Sequence, residues 1–258
     1  MIRESLQKHY LGMNKEFRYR GEEPGRLENF SDAVFALAIT LLLISTNPPS
    51  SFDQIRRFAW DVIPFSLCIC LIILIWHEHF VFYFRYGLRN DAILVLNTLF
   101  LVIVLFYVYP LKFLTRLILV PIGILFNQDE IVNEFKGVFK GTDIADLMII
   151  YGIGLTAVFG ILMLMYRYAL KNAALLELNE VEKFDTRISM QMNFLMGLIP
   201  SLSVLVAIFM RNNMLAGMYS GFVYFFYFPV MFIVGSKNDK KRKKILAANT
   251  SNYQNSID

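Results

Sequence analysis

The residues best placed to do chemistry lie in one short stretch of this 258-residue chain: Arg26, then Phe30-Ser31-Asp32, then an apolar run from Ala33 with one hydroxyl at Thr40. A base, a hydroxyl and an acid opening an apolar run can hold and orient a charge. An acidic side chain there is costly in lipid and marks a functional site by default. On a helix at ~100° per residue, Leu37, Leu41 and Ile44 fall at i, i+4 and i+7 and form one stripe. Thr40 sits one turn before Ile44, beside that stripe. Read from the mouth inward, the face is polar entrance, apolar ring, hydroxyl, apolar rings. Leucines so spaced can equally be packing between helices, and a threonine can bond back to its own helix carbonyl. One helix makes no pore, but a symmetric oligomer could bring several copies of the stripe to one axis. A ring of Leu37 offers an ion no ligands and gates by dewetting, because stripping water from a cation costs more than leucine can return. A ring of Thr40 would offer hydroxyl oxygens to a partly dehydrated cation. No TVGYG-type carbonyl filter or re-entrant filter loop is present.

Trp76-His77-Glu78-His79 closes a second apolar run. His77 and His79 point about 200° apart on a helix, which argues against a simple metal pair. The group suits an interfacial belt anchored by Trp76. A sharper reading turns His77 toward Ser31 or Asp32 and gives Asp32 a charge partner in Arg26, since a buried carboxylate needs partners or it neutralises. Asn97 suits an interhelical hydrogen bond. No nucleotide loop, serine triad or zinc-hydrolase motif accompanies these residues. Neither a catalytic role, a cofactor nor a bound metal is expected.

The elements that must carry these residues are apolar helices. Apolar residues make up 56% of the chain and charged residues 18%, with 24 Phe, 13 Tyr and 12 Met. A soluble domain of this length could not enclose so much apolar surface. An all-α integral membrane protein follows, with six candidate spans: Phe30 to Asn47, Val62 to Phe84, Ala92 to Leu111, Ile144 to Tyr166, Phe194 to Met210 and Leu215 to Gly235. Pro48-Pro49-Ser50-Ser51 ends the first. Phe113 to Phe126 is short for a span and reads as an interfacial, re-entrant or bent extension of the third, with bends at Pro110 and Pro121; a seventh span is the competing reading. Asn127 to Asp143 reads as a loop or surface helix. Residues 1–29 form a charged arm, 30–235 the spanning domain and 236–258 a basic tail.

With an even count, most of the 25 Lys and Arg fall on the side of the termini, leaving Arg56, Arg57, Lys112, Arg116, Lys136, Lys140 and Arg211 on the other. The positive-inside rule then puts both termini in the cytoplasm. The Lys237–Lys244 run follows an apolar span directly, so its partner is the anionic lipid surface, and no nucleic acid is expected. A secondary active cation transporter is the alternative reading. Such proteins show broken helices or inverted repeats around a midplane site, and no repeat is visible here.

Arg26-x-x-x-Phe30-Ser31-Asp32 at the start of the first helix resembles the signature of the transmembrane protein 175 family, potassium channels of lysosomes and endosomes and their prokaryotic relatives. Trp76-His77-x-x-Phe80 and the Asn97…Pro110 pattern extend the resemblance, which covers essentially the whole chain. It implies a bacterial or archaeal plasma-membrane protein with one repeat, assembled as a homotetramer. It also implies a pore lined by the first helix and conducting monovalent cations, with potassium moderately favoured over sodium. On this resemblance Leu37 makes the narrowest apolar ring, Leu41 and Ile44 further apolar layers, and Thr40 the polar layer. Arg26, Phe30, Ser31, Asp32, Trp76 and His77 form a structural network between helices 1 and 2. Leucine stands where isoleucine is common at the constriction.

Overall fold

A run of apolar residues in lipid must bond its own backbone, because no water is there to do so; a helix is the local solution. The computed structural model describes residues 16–44, 51, 52, 55, 62–125, 142–213 and 215–254. Its elements are α1 (Arg26–Ile44), α2 (Val62–Tyr86), α3 (Asp91–Leu125), α4 (Asp143–Lys171), α5 (Glu180–Phe209), α6 (Ala216–Phe222), a 3-10 turn (Val223–Phe226) and α7 (Tyr227–Gln254). The stretch Pro48 to Ser50 and the polar segment before Thr142 lie outside the described residues.

The expected six-span bundle is corrected. Among the described residues five helical segments are long and apolar enough to cross a membrane: Val62–Tyr86, Asp91–Val108, Asp143–Lys171, Glu180–Phe209 and Ala216–Ala247. The segment read as the first span is not one of them. Its helix starts at Arg26 and is polar through Asp32, with Glu28, Asn29 and Ser31 between. Within the described residues its apolar part, from Ala33 to Ile44, rises about 18 Å, against ~30 Å of hydrocarbon. The polar turns that share this helix take up its first seven residues. The parity argument for orientation falls with the count of six.

Other bounds also move. α3 runs unbroken through Pro110 to Leu125, so Phe113 onward continues the third helix. α5 starts at Glu180, well before Phe194, because Asn179 and Glu182 form a reciprocal cap. Glu182 N donates to Asn179 Oδ1 (2.8 Å) and Asn179 N donates to Glu182 Oε2 (2.9 Å). α7 carries the last apolar segment straight into the basic tail.

α4 and α5 pack most extensively; α3 lies against α4, α1 and α2, and α1 also touches α2. The core where they meet is aromatic: Phe82, Tyr83, Tyr86, Phe100 and Tyr166 are fully buried. Phe82 and Tyr166 meet edge to face at 5.3 Å. Large side chains point outward, among them Phe106, Phe209 and Phe228, as a surface wet by lipid allows.

α2 ends at Gly87, whose φ of 58° lies in the left-handed region and whose N–H donates to Tyr83 O at 2.8 Å. The polar arm completes this end: Arg20 N donates to Arg85 O (3.3 Å) and Gly21 N to Phe84 O (3.1 Å). These bonds satisfy carbonyls that a helix end leaves open. A Cβ at Gly21 would collide with the Tyr83 carbonyl, so only glycine lets the arm come this close. Arg20 also bridges to buried Glu182 (2.9 Å), and Arg242 of the tail pairs with Asp185 (2.8 Å) and Glu16 (2.9 Å). Arm, start of α5 and tail therefore meet at one end of the bundle.

Candidate functional site

The two faces of α1 have opposite surroundings. Ser31, Phe35, Ala38 and Leu42, at i, i+4, i+7 and i+11, are buried against α2 and α3. The other side carries Phe30 (61% exposed), Leu37 (52%) and Leu41 (39%), with Thr40 and the small residues Ala33 and Ala36 exposed beside them. Nothing among the described residues covers that side. Thr40 Oγ1 donates to Ala36 O at 2.9 Å, which occupies its hydrogen and leaves oxygen lone pairs outward. Ile44 ends α1; its side chain lies outside the described residues.

The buried face is held by a polar chain. Ser31 Oγ donates to Leu27 O at 2.8 Å. Its single hydrogen is thereby used, so it accepts from Asn97 Nδ2 at 2.9 Å. This fixes the amide: Asn97 presents Oδ1 to His79 Nε2 at 2.7 Å, and His79 donates from Nε2. His79 is stacked on Phe100, ring centroids 5.1 Å apart and 9° between planes, with Phe35 at 5.8 Å and Tyr83 at 4.8 Å. A line of hydrogen bonds thus crosses α1, α3 and α2, walled by aromatic rings.

A second latch lies nearer the surface. Trp76 Nε1 donates to Asp32 Oδ1 at 2.8 Å, and the indole stacks on Phe80 at 5.5 Å. At the helix mouth Glu28 accepts from Gly25 N (3.0 Å) and from Arg89 Nε (3.1 Å). A carboxylate in the first turn also faces the positive end of the helix dipole.

The structure brings Asp32 and Trp76 together, while Ser31 is joined to Asn97 of α3 and through it to His79. Arg26 is exposed and makes no bond with Asp32 among the described contacts. The histidine in the chain is His79; His77 is half-buried on another side of α2. The signal for His79 was available: at i+3 from Trp76 it shares a face with the residue that meets α1, and His77 at i+1 does not. Asn97 makes the interhelical bonds its place in an apolar run requires. Among the described residues no cluster of His, Cys, Asp or Glu could hold a metal ion.

Residues 26–107, which contain both latches, match the family model described as endosomal/lysosomal potassium channel TMEM175. A protein of Marivirga tractuosa named "Potassium channel" is 41% identical over 237 residues, covering 92% of this chain and 96% of that one. Among solved structures, a threonine-to-alanine variant of the potassium channel MtTMEM175, crystallised with a nanobody–MBP fusion, aligns with a TM-score of 0.81 and 41% identity. That alignment covers 89% of this chain and all of the other. Identity at this level over nearly the full length of a relative, with the same helices in the same places, makes the chain a member of the TMEM175 potassium-channel family.

Proposed function

We propose that this chain is a potassium-conducting cation channel of a bacterial-type plasma membrane, working as a homotetramer in which four copies of α1 surround the ion path. The observation that carries the reading is the division of α1: Ser31, Phe35, Ala38 and Leu42 are engaged by the subunit's own helices, while the opposite side with Leu37, Thr40 and Leu41 has no cover among the described residues. Family membership supplies the activity, and the uncovered side supplies a place for it.

Four Leu37 side chains would form the constriction, with Leu41 and Ile44 as further apolar layers and Thr40 as a hydroxyl layer between. A closed leucine ring excludes a hydrated cation because it returns none of the hydration it removes. An open ring passes the ion with part of its water, which gives potassium only a moderate preference over sodium; potassium holds its water less tightly. The Ser31–Asn97–His79 chain and the Asp32–Trp76 latch stay out of the ion path and fix the rotation of α1, so that the leucine side and not the serine side faces the axis. Both termini are placed in the cytoplasm, supported by the ion pairs that gather the arm and the basic tail at one end.

The test is potassium flux into proteoliposomes. Leu37→Asn keeps the ring wet and raises flux on the order of tenfold or more, the expected gain when an apolar barrier of about 1.4 kcal/mol is removed. Thr40→Ala lowers the ratio of potassium to sodium flux. Flux that none of Leu37→Asn, Leu41→Asn and Thr40→Ala alters removes the pore assignment. Saturable flux coupled to a proton would turn the reading to a transporter.

A further inference from the structure

The tail of α7 is unlike a disordered basic extension. It is helical without a break from Tyr227 to Gln254, and its rotation is fixed by one inward residue. Arg242 donates to both carboxylate oxygens of Asp185 (2.8 and 3.2 Å) and to Glu16 (2.9 Å). Asn238, one turn earlier on the same side, is 9% exposed. With that side turned to the bundle, Lys237, Lys240, Lys241 and Lys244 stand outward. They fall at i+4, i+7, i+8 and i+11 from Ile233 and continue its stripe. Ile233 is 50% exposed and Pro229, one turn before it on the same stripe, is exposed too, so this outer side of α7 is lipid-facing before the lysines begin. The acidic residue of this stretch, Asp239, lies off the stripe, in line with Lys243.

We propose that the outer lysine face of α7 is a docking surface for anionic phospholipid headgroups. At 1.5 Å per residue Lys237 lies about 6 Å beyond Ile233, and Lys240 and Lys241 about 10–12 Å. The headgroup layer is ~5–8 Å deep on each side of the hydrocarbon. Lysine stems reach back several ångströms along apolar surface, which brings Lys240 and Lys241 into that layer and leaves Lys244 at its outer edge. Four cations on one narrow stripe, three of them within reach of the phosphates and all on a helix held by Arg242, match a row of headgroups. A soluble polyanion would have to approach across the membrane surface itself. Arg242 contributes by holding the rotation and touches no lipid.

Native mass spectrometry of the full chain in neutral detergent tests this without reference to conduction. Wild type titrated with phosphatidylglycerol retains on the order of tenfold more lipid than with phosphatidylcholine. Replacing Lys237, Lys240, Lys241 and Lys244 together by Gln abolishes that preference and leaves phosphatidylcholine binding unchanged. The same four positions changed to Arg keep it. Equal retention of the two lipids by wild type, or an undiminished preference in the Gln variant, overturns the proposal. So does a single-stranded DNA oligonucleotide that displaces phosphatidylglycerol at lower concentration. Should the Gln variant not fold, salt decides on wild type: phosphatidylglycerol retention falls steeply with added sodium chloride, and salt-insensitive retention overturns the proposal.

Discussion

At the scale of single residues, the account turns on Ser31. It has one hydrogen to give and gives it to Leu27, so every further bond in the chain is fixed in direction through Asn97 to His79. Asn97→Ala removes the acceptor of the His79 Nε2 hydrogen and the donor to Ser31 Oγ. Interhelical hydrogen bonds in membranes are worth about 0.6 kcal/mol on average and up to ~1.7, so a loss of about 1–2 kcal/mol is expected. A lowered unfolding midpoint in detergent checks it, and an unchanged midpoint would show that the chain is dispensable. Asp32 is exposed and meets Trp76 alone among the described side chains. Asp32→Ala is therefore expected to reduce tetramer recovery in size-exclusion chromatography while the cation preference of what assembles stays as in wild type. A reversed cation preference in an intact assembly would make Asp32 a filter residue. That Asp32 needs a partner was legible in the sequence, because a carboxylate in an apolar setting must be paired; that Trp76 is the one rests on the family resemblance, since by residue type alone Trp76 suits an interfacial anchor. That His79 joins the Ser31–Asn97 chain is not legible until the side of α2 that faces α1 and α3 is known, because apolar residues surround that helix on all sides.

At the scale of elements, the sequence shows helices easily and their ends poorly. α5 starts a dozen or so residues earlier than its apolar run, and the cause is a cap written as Asn179-x-x-Glu182, a pattern of polar residues that an apolar count passes over. α1 errs the other way: a helix of 19 residues has too short an apolar part to rank with the five membrane-length segments. The arm before Arg26 had no evident role by composition. In the fold it closes the end of α2 with two backbone bonds and places Arg20 on Glu182, a carboxylate only 1% exposed. Arg20→Ala leaves that charge with its backbone donors alone. Breaking one side of a buried pair costs about 3 kcal/mol. We expect earlier thermal unfolding and faster proteolysis in the arm, checked by limited trypsin digestion; digestion as slow as wild type would show the arm is held by something else.

At the scale of the whole molecule, one subunit is an unfinished object. Its lipid-facing helices expose phenylalanines, as they should, but α1 exposes leucines flanked by alanines and a threonine on a helix whose entrance is charged. Such a side suits neither lipid alone nor the subunit core; it suits copies of itself around water. Subunit number and axis are invisible to a single sequence, since they are properties of contacts between chains; the tetramer proposed above rests on the family resemblance and on that exposed side. The central claim is that the Leu37 side of α1 meets the ion. Its most direct measurement is block of potassium flux by silver ion in proteoliposomes, in a background with Cys68 and Cys70 changed to Ala. Leu37→Cys should be blocked, and Phe232→Cys on the lipid-facing side of α7 should not. Block at Phe232→Cys with none at Leu37→Cys would place the ion path elsewhere and contradict the account.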